Sequence, residues 1–154
     1  MRRLILGMLL AAAIALGLVL ARNQPDVDEQ AVNYRQALMT VIDRVSQPLF
    51  LMQHGQRTYD GAELRKAALQ LTVLSGMIGD AFARDTRSAQ RVPTAALPYV
   101  WTDAPAFNAA VQRMQSDAAT LQQVASSADI ARVALALSAV DSDCAQCHRQ
   151  FRAD

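Results

Sequence analysis

The sequence predicts an all-α protein, an antiparallel four-helix bundle, and three observations carry that expectation. Apolar residues recur at helical spacing along the chain, and no segment alternates steadily between apolar and polar, which argues against a sheet. Four periodic stretches are separated by two short connections and one long one, a pattern that makes successive helices antiparallel neighbours. The composition is 52% apolar but only 5% aromatic, so small side chains, alanine above all, allow close helix packing.

The first helix is expected from Asp28 to about His54, with Val32, Leu38, Met39, Ile42, Val45, Leu49 and Met52 on its apolar stripe. Pro48 removes a backbone donor and crowds the preceding turn, so a kink or interruption is expected in the last turns. Gly55 and residues 58–61 read as a connection. A second helix opens at Asp60, with Glu63 three residues on in a capping-box arrangement. It continues through Leu64, Ala68, Leu71, Leu74 and Ile78 to about Arg84. From Asp85 to Asp103 the chain is polar and carries Pro93 and Pro98, which reads as a long loop. Asp103 caps a third helix, tolerant of Pro105 in its first turn, that carries Phe107, Val111, Met114, Ala118 and Leu121. The stretch 126–129 caps a fourth, running through Ile130, Val133, Leu137 and Val140. In such a bundle the end of the fourth helix lies beside the start of the first, the end of the second and the start of the third.

Residues 1–21 are expected to form a signal peptide or an N-terminal membrane anchor, and residues 22–154 a single domain. Arg2 and Arg3 form a basic lead, Leu4 to Ala21 an 18-residue apolar run, and Val19-Leu20-Ala21 a small-residue site for a peptidase. The run is at the lower limit for spanning a bilayer, so residues 4–21 are either removed or retained as a tether. In both cases the remainder is exported. Without Arg2 and Arg3, 13 basic residues face 14 acidic ones, which speaks against nucleic acid as a partner and gives no strong steering field.

The fourth helix ends in Cys144-Ala145-Gln146-Cys147-His148, a C-x-x-C-H run with the spacing of c-type haem attachment. On a helix, positions i, i+3 and i+4 share one face, so two thiols can form thioethers with the haem vinyl groups while the imidazole reaches the iron. His148 is the expected proximal ligand. A redox dithiol lacks a preceding strand pattern, a zinc site lacks a second ligand pair, and a disulfide here would close too small a loop to stabilise much. The chain has two cysteines and both lie in the motif. The fold class is therefore completed by one covalent haem c near the C-terminal end of helix four. Met39, Met77 and Met114 lie at plausible heights for a sixth ligand. His54, 15 residues beyond Met39 or ~22 Å along a helix, is expected near the opposite end of the bundle.

The C-terminal haem motif, the four helices, residues 34–39 (YRQALM) and residues 101–107 (WTDAPAF) together resemble cytochrome c class II, the family of cytochrome c prime and its low-spin, methionine-ligated relatives. The similarity extends from about Val32 to Arg152. It implies that Cys144 and Cys147 hold haem c and that His148 and Met39 flank its iron. It further implies that Arg35 lies near a haem propionate and that Arg152 lies beside the proximal face, with Phe82, Trp101 and Phe107 walling the haem or the adjacent core. The family includes both six-coordinate and five-coordinate proteins, so coordination stays open.

Two functions follow from the resemblance. With Met39 bound to iron, the protein transfers single electrons between exported redox proteins through transient contacts. The Arg-x-x-x-Met spacing favours this one. With the distal side open, it binds nitric oxide or carbon monoxide, using Leu38 and Met39 as steric gates. An enzyme is not expected, since no histidine is available as a distal base. The expected location is the periplasm, and a homodimer through the first two helices is a further expectation.

Overall fold

The computed structural model describes residues 27–89 and 91–153. The expected signal or anchor segment lies outside the described residues. Six helices occur in the order α1 Val27–Gln53, α2 Gly61–Gly76, α3 Ile78–Phe82, α4 Tyr99–Thr102, α5 Ala104–Val124 and α6 Ile130–Phe151. The four long ones, α1, α2, α5 and α6, make the bundle. The one pairing of extended backbone among the described residues is an isolated antiparallel bridge between Ala96 and Arg152. No helix among the described residues is long and apolar enough to cross a membrane.

The expected apolar stripes form one core. Leu38, Ile42 and Leu49 of α1 meet Leu64, Ala68 and Leu71 of α2, Val111, Met114 and Leu121 of α5, and Val133, Leu137 and Val140 of α6. Ile130 is the exception, 52% exposed at the first position of α6. The most extensive packing is of α5 on α6 and on α2, whereas α1 and α6 meet along a sparser seam.

Helix ends obey local chemistry. The first helix runs unbroken through Pro48, contrary to the expected interruption. It stops instead at Gly55, whose φ of +68° is left-handed. There the Gln56 amide donates to the Leu51 carbonyl at 2.8 Å and the Gly55 amide to the Met52 carbonyl at 3.2 Å, the paired bonds of a Schellman motif.

The Asp60 carboxylate caps α2 by accepting from the amides of Ala62 and Glu63 at 2.9 and 3.1 Å. The reciprocal half of the expected capping box does not form. Glu63 pairs with Arg57 at 2.7 Å, and the Asp60 amide points at the Met52 sulfur at 3.4 Å. Asp60→Ala is expected to cost about 1 kcal/mol, the usual price of a lost N-cap, read as a lower thermal midpoint.

The second predicted helix divides in two. It breaks at Met77, after Gly76 has removed a side chain that could stiffen the turn, and resumes as the single turn of α3. The expected long loop contains one further turn, α4, started by Pro98 in helical conformation. Asp103 and Asp129 cap α5 and α6, accepting from the amides of Ala106 at 3.4 Å and Arg132 at 3.1 Å.

Residues 83–89 and 91–98 are strapped to the bundle. Asp28 takes Arg84 and the Ser88 hydroxyl, Glu29 takes Arg91 at 2.7 Å, and Gln36 donates to the Pro93 carbonyl at 2.7 Å. On the other side the Leu97 amide donates to the Phe151 carbonyl at 2.9 Å, and the Ala153 amide to the Ala95 carbonyl at 2.8 Å. The strap therefore ties the start of α1 to the chain that follows the C-x-x-C-H motif.

Candidate haem site

Helix α6 continues without a break through Cys144, Cys147 and His148 to Phe151, so the three motif side chains share the face that their spacing requires. Both cysteines are free thiols, half-buried against the core. Burial pushes the Cys144 thiol up to about 11, with Asp141, Asp143 and Cys147 adding to the effect. Burial also raises Cys147, where Arg113 opposes and Asp143 reinforces. A redox dithiol needs a depressed pKa to present thiolate, and both shifts run the other way.

His148 is exposed in the last turn of α6. Partial burial lowers its pKa, the nearby charge of Arg152 lowers it further, and Asp43 of α1 opposes both. Arg152 is exposed and follows one turn later, its amide donating to the His148 carbonyl at 3.1 Å. Asp43 lies one turn beyond Met39, so α1 passes His148 with the Met39 side toward the start of the helix. Met39 is half-buried and packed on the core. Leu38, the other expected gate, is a core residue at 5% exposure. Met114 is likewise in the core at 7%, and Met77 is 36% exposed at the end of α2.

His54 corrects one expectation. Its ring comes within 3.8 Å of the Asp141 carboxylate, one turn before Cys144, and so is not at the far end of the bundle. The expectation measured distance from Met39 alone, whereas α6 brings the motif well inward along α1. The residue is otherwise as expected, exposed and just past the helix end.

Arg35 is the most informative of the expected residues. It is 3% exposed yet forms no ion pair among the described residues. Its guanidinium carbon lies 4.6 Å from the Phe82 ring centre and 5.1 Å from that of Trp101. Nη2 donates to the Thr86 hydroxyl at 2.8 Å, Nε to the Ala81 carbonyl at 3.5 Å, and Nη1 is buried with no acceptor. Desolvation lowers its pKa.

Aromatic rings link this cation to the motif. Phe82 stacks on Phe107 at 5.0 Å, and Phe107 meets the edge of Phe151 at 5.2 Å, three residues after His148. Thus Arg35, Phe82, Trp101 and Phe107 converge at the end of the bundle that carries the motif, as the antiparallel topology requires.

Sequence reasoning missed Thr86, Asp143 and Arg113. Asp143 is buried with an unpartnered Oδ2, raised by burial and by Asp117, and lies 3.9 Å from Arg113. Its signal, an acid directly before a half-buried cysteine, was available; Thr86 offered none.

These residues fit a haem. No group of three His, Cys, Asp or Glu side chains among the described residues could hold a bare metal ion. The buried, unpaired Nη1 calls for an anion, and a haem carries two carboxylates.

The comparisons agree. The family model described as "Cytochrome C'" matches residues 30–152. Cytochrome c′ of Alcaligenes xylosoxydans xylosoxydans is 28% identical over 124 residues, 80% of this chain and 94% of that one. The solved cytochrome c prime from Shewanella frigidimarina superposes with a TM-score of 0.77 at 25% identity, covering 85% of this chain and all of the other. A nitric oxide complex of a cytochrome c prime variant from Alcaligenes xylosoxidans gives 0.73 at 27% identity, over 85% and 99%. The chain belongs to the cytochrome c′ family, four-helix-bundle proteins that carry one covalently bound haem c.

Proposed function

We propose that this protein is an exported haem c protein that binds a diatomic gas, nitric oxide or carbon monoxide, on the α1 side of its haem. The observation that carries the reading is the likeness, over 85% of this chain, to a cytochrome c prime solved as its nitric oxide complex. Met39 supports it by being packed on the core, where its side chain fills space. A haem held by Cys144, Cys147 and His148 would supply an iron able to take up the gas.

The chain's own groups have separate tasks in this reading. Cys144 and Cys147 would hold the haem through thioethers, and His148 would offer its imidazole to the iron from the same face of α6. Depression of the His148 pKa favours the neutral ring, the form with a lone pair to give. Arg35 neutralises a carboxylate at the buried edge. Met39 and the apolar face of α1 exclude water from the distal side. Residues 1–21 deliver the domain 22–154 to the periplasm by cleavage or as a tether.

Single-electron transfer with exported redox proteins is the second reading, favoured by one observation: α1 presents a thioether one turn after Arg35, and a His/Met pair stabilises ferrous iron. The optical spectrum separates the two. In the proposed reading the reduced protein shows broad high-spin bands that shift on adding carbon monoxide. A sharp reduced α-band indifferent to the gas would overturn it in favour of His/Met ligation.

A further inference from the structure

A buried cation requires an anion or a full set of acceptors, because leaving a charged group's donors empty in a dry interior is strongly destabilising. Arg35 has neither, yet its guanidinium is held from three sides. The Phe82 and Trp101 rings, at 4.6 and 5.1 Å, restrict the tilt of its plane. Trp101 is itself fixed by donating Nε1–H to the Phe82 carbonyl at 3.0 Å. Ring contacts of this kind leave rotation within the plane free.

That remaining freedom is removed by Thr86, whose hydroxyl oxygen accepts from Nη2 at 2.8 Å. The Nε contact to Ala81 at 3.5 Å is too long to do this alone. Thr86 is 1% exposed, and its carbonyl takes the Ala89 amide at 3.0 Å in a turn. A threonine so deeply buried at a loop position needs a partner for its hydroxyl, and Arg35 is the one it has. With Nη2 and Nε engaged, Nη1 is left as the donor for something else.

We infer that Thr86 is a positioning residue, one that orients Arg35 so that Nη1 receives a haem propionate. The inference rests on the haem-site reading above and adds to it a loop residue that does not itself touch the iron. The consequence is electrostatic: a rigid cation keeps the propionate ionised into the acid range.

The test is the reduction potential of the intact haem protein followed through the acid range, where propionate ionisation produces an inflection. Thr86→Val, equal in shape but lacking the acceptor, is expected to move that inflection up by about one pH unit. Arg35→Gln should move it in the same direction by about two, the range for losing an adjacent opposite charge. Thr86→Ser restores the hydroxyl and should return the inflection to its original place. Thr86→Ala removes the same acceptor with less bulk and serves as the second variant if valine hinders maturation. An inflection unmoved in both the valine and alanine variants but moved by Arg35→Gln overturns the role of Thr86 alone. An inflection unmoved by Arg35→Gln as well means that no propionate lies at Arg35, and the proposal fails at its premise while attachment of haem through Cys144 and Cys147 stands. Covalent haem content and carbon monoxide binding are measured on the same samples, so the gas-binding proposal is judged separately.

Discussion

Changing Cys144 and Cys147 together to serine should abolish covalent haem and lower the thermal midpoint by about 12 °C. The first outcome follows from chemistry, since serine cannot form a thioether, and is read as loss of haem stain in a denaturing gel. The second follows from packing. The α1–α6 seam is the sparsest contact between neighbouring long helices, and Cys144 and Cys147 are half-buried against the core. Emptying a core site the size of one large aromatic ring costs about 4 kcal/mol, and a porphyrin is larger than any side chain. For a domain of this length each kcal/mol is worth about 3 °C. Arg35 compounds the loss, because its Nη1 would have no anion in the haem-free chain. A doubly substituted protein with the parent's helical content and midpoint would show that the bundle is self-sufficient, and would sink the view that the group fills part of its core.

How legible the molecule is from sequence depends on how local each determinant is. The C-x-x-C-H spacing is local: five residues on one helix define their shared face, and α6 delivers it. Helix caps at Asp60, Asp103 and Asp129 are local too, and all three accept the amides that their positions demand. Pro48 and Glu63 show where local rules yield to surroundings. Packing on both sides carries α1 through its proline, and Arg57 draws Glu63 away from the cap.

The pocket is less legible because its partners are far apart along the chain. Arg35 and Thr86 are 51 positions apart, and Thr86 sits in a polar loop where threonine is unremarkable. Arg35 itself was visible only through family resemblance. Its unpaired burial, the physical reason for its importance, is a property of the folded chain. His54 makes the same point in reverse: counting residues along α1 misplaced it, because height in a bundle depends on the neighbouring helix as well.

Met39→Ala is the substitution that bears most directly on function, and about tenfold tighter carbon monoxide binding to the ferrous protein is its expected result. Met39 is half-buried on the core, so a ligand arriving from the α1 side must displace it from a packed rotamer. Moving a side chain off its rotamer by about 30° costs up to about 1.5 kcal/mol, and removing that cost is worth about a factor of ten in affinity. The oxidised and reduced spectra should stay high-spin, because alanine removes bulk and no ligand. A low-spin parent that turns high-spin on substitution would instead identify the Met39 sulfur as the sixth ligand and give electron transfer the stronger claim. Unchanged spectra with unchanged affinity would take Met39 off the ligand path altogether. Neither remaining methionine in question could then replace it without rearrangement, since Met114 is enclosed in the core and Met77 is exposed beyond α2. The gate would have to be sought in the apolar face of α1 as a whole.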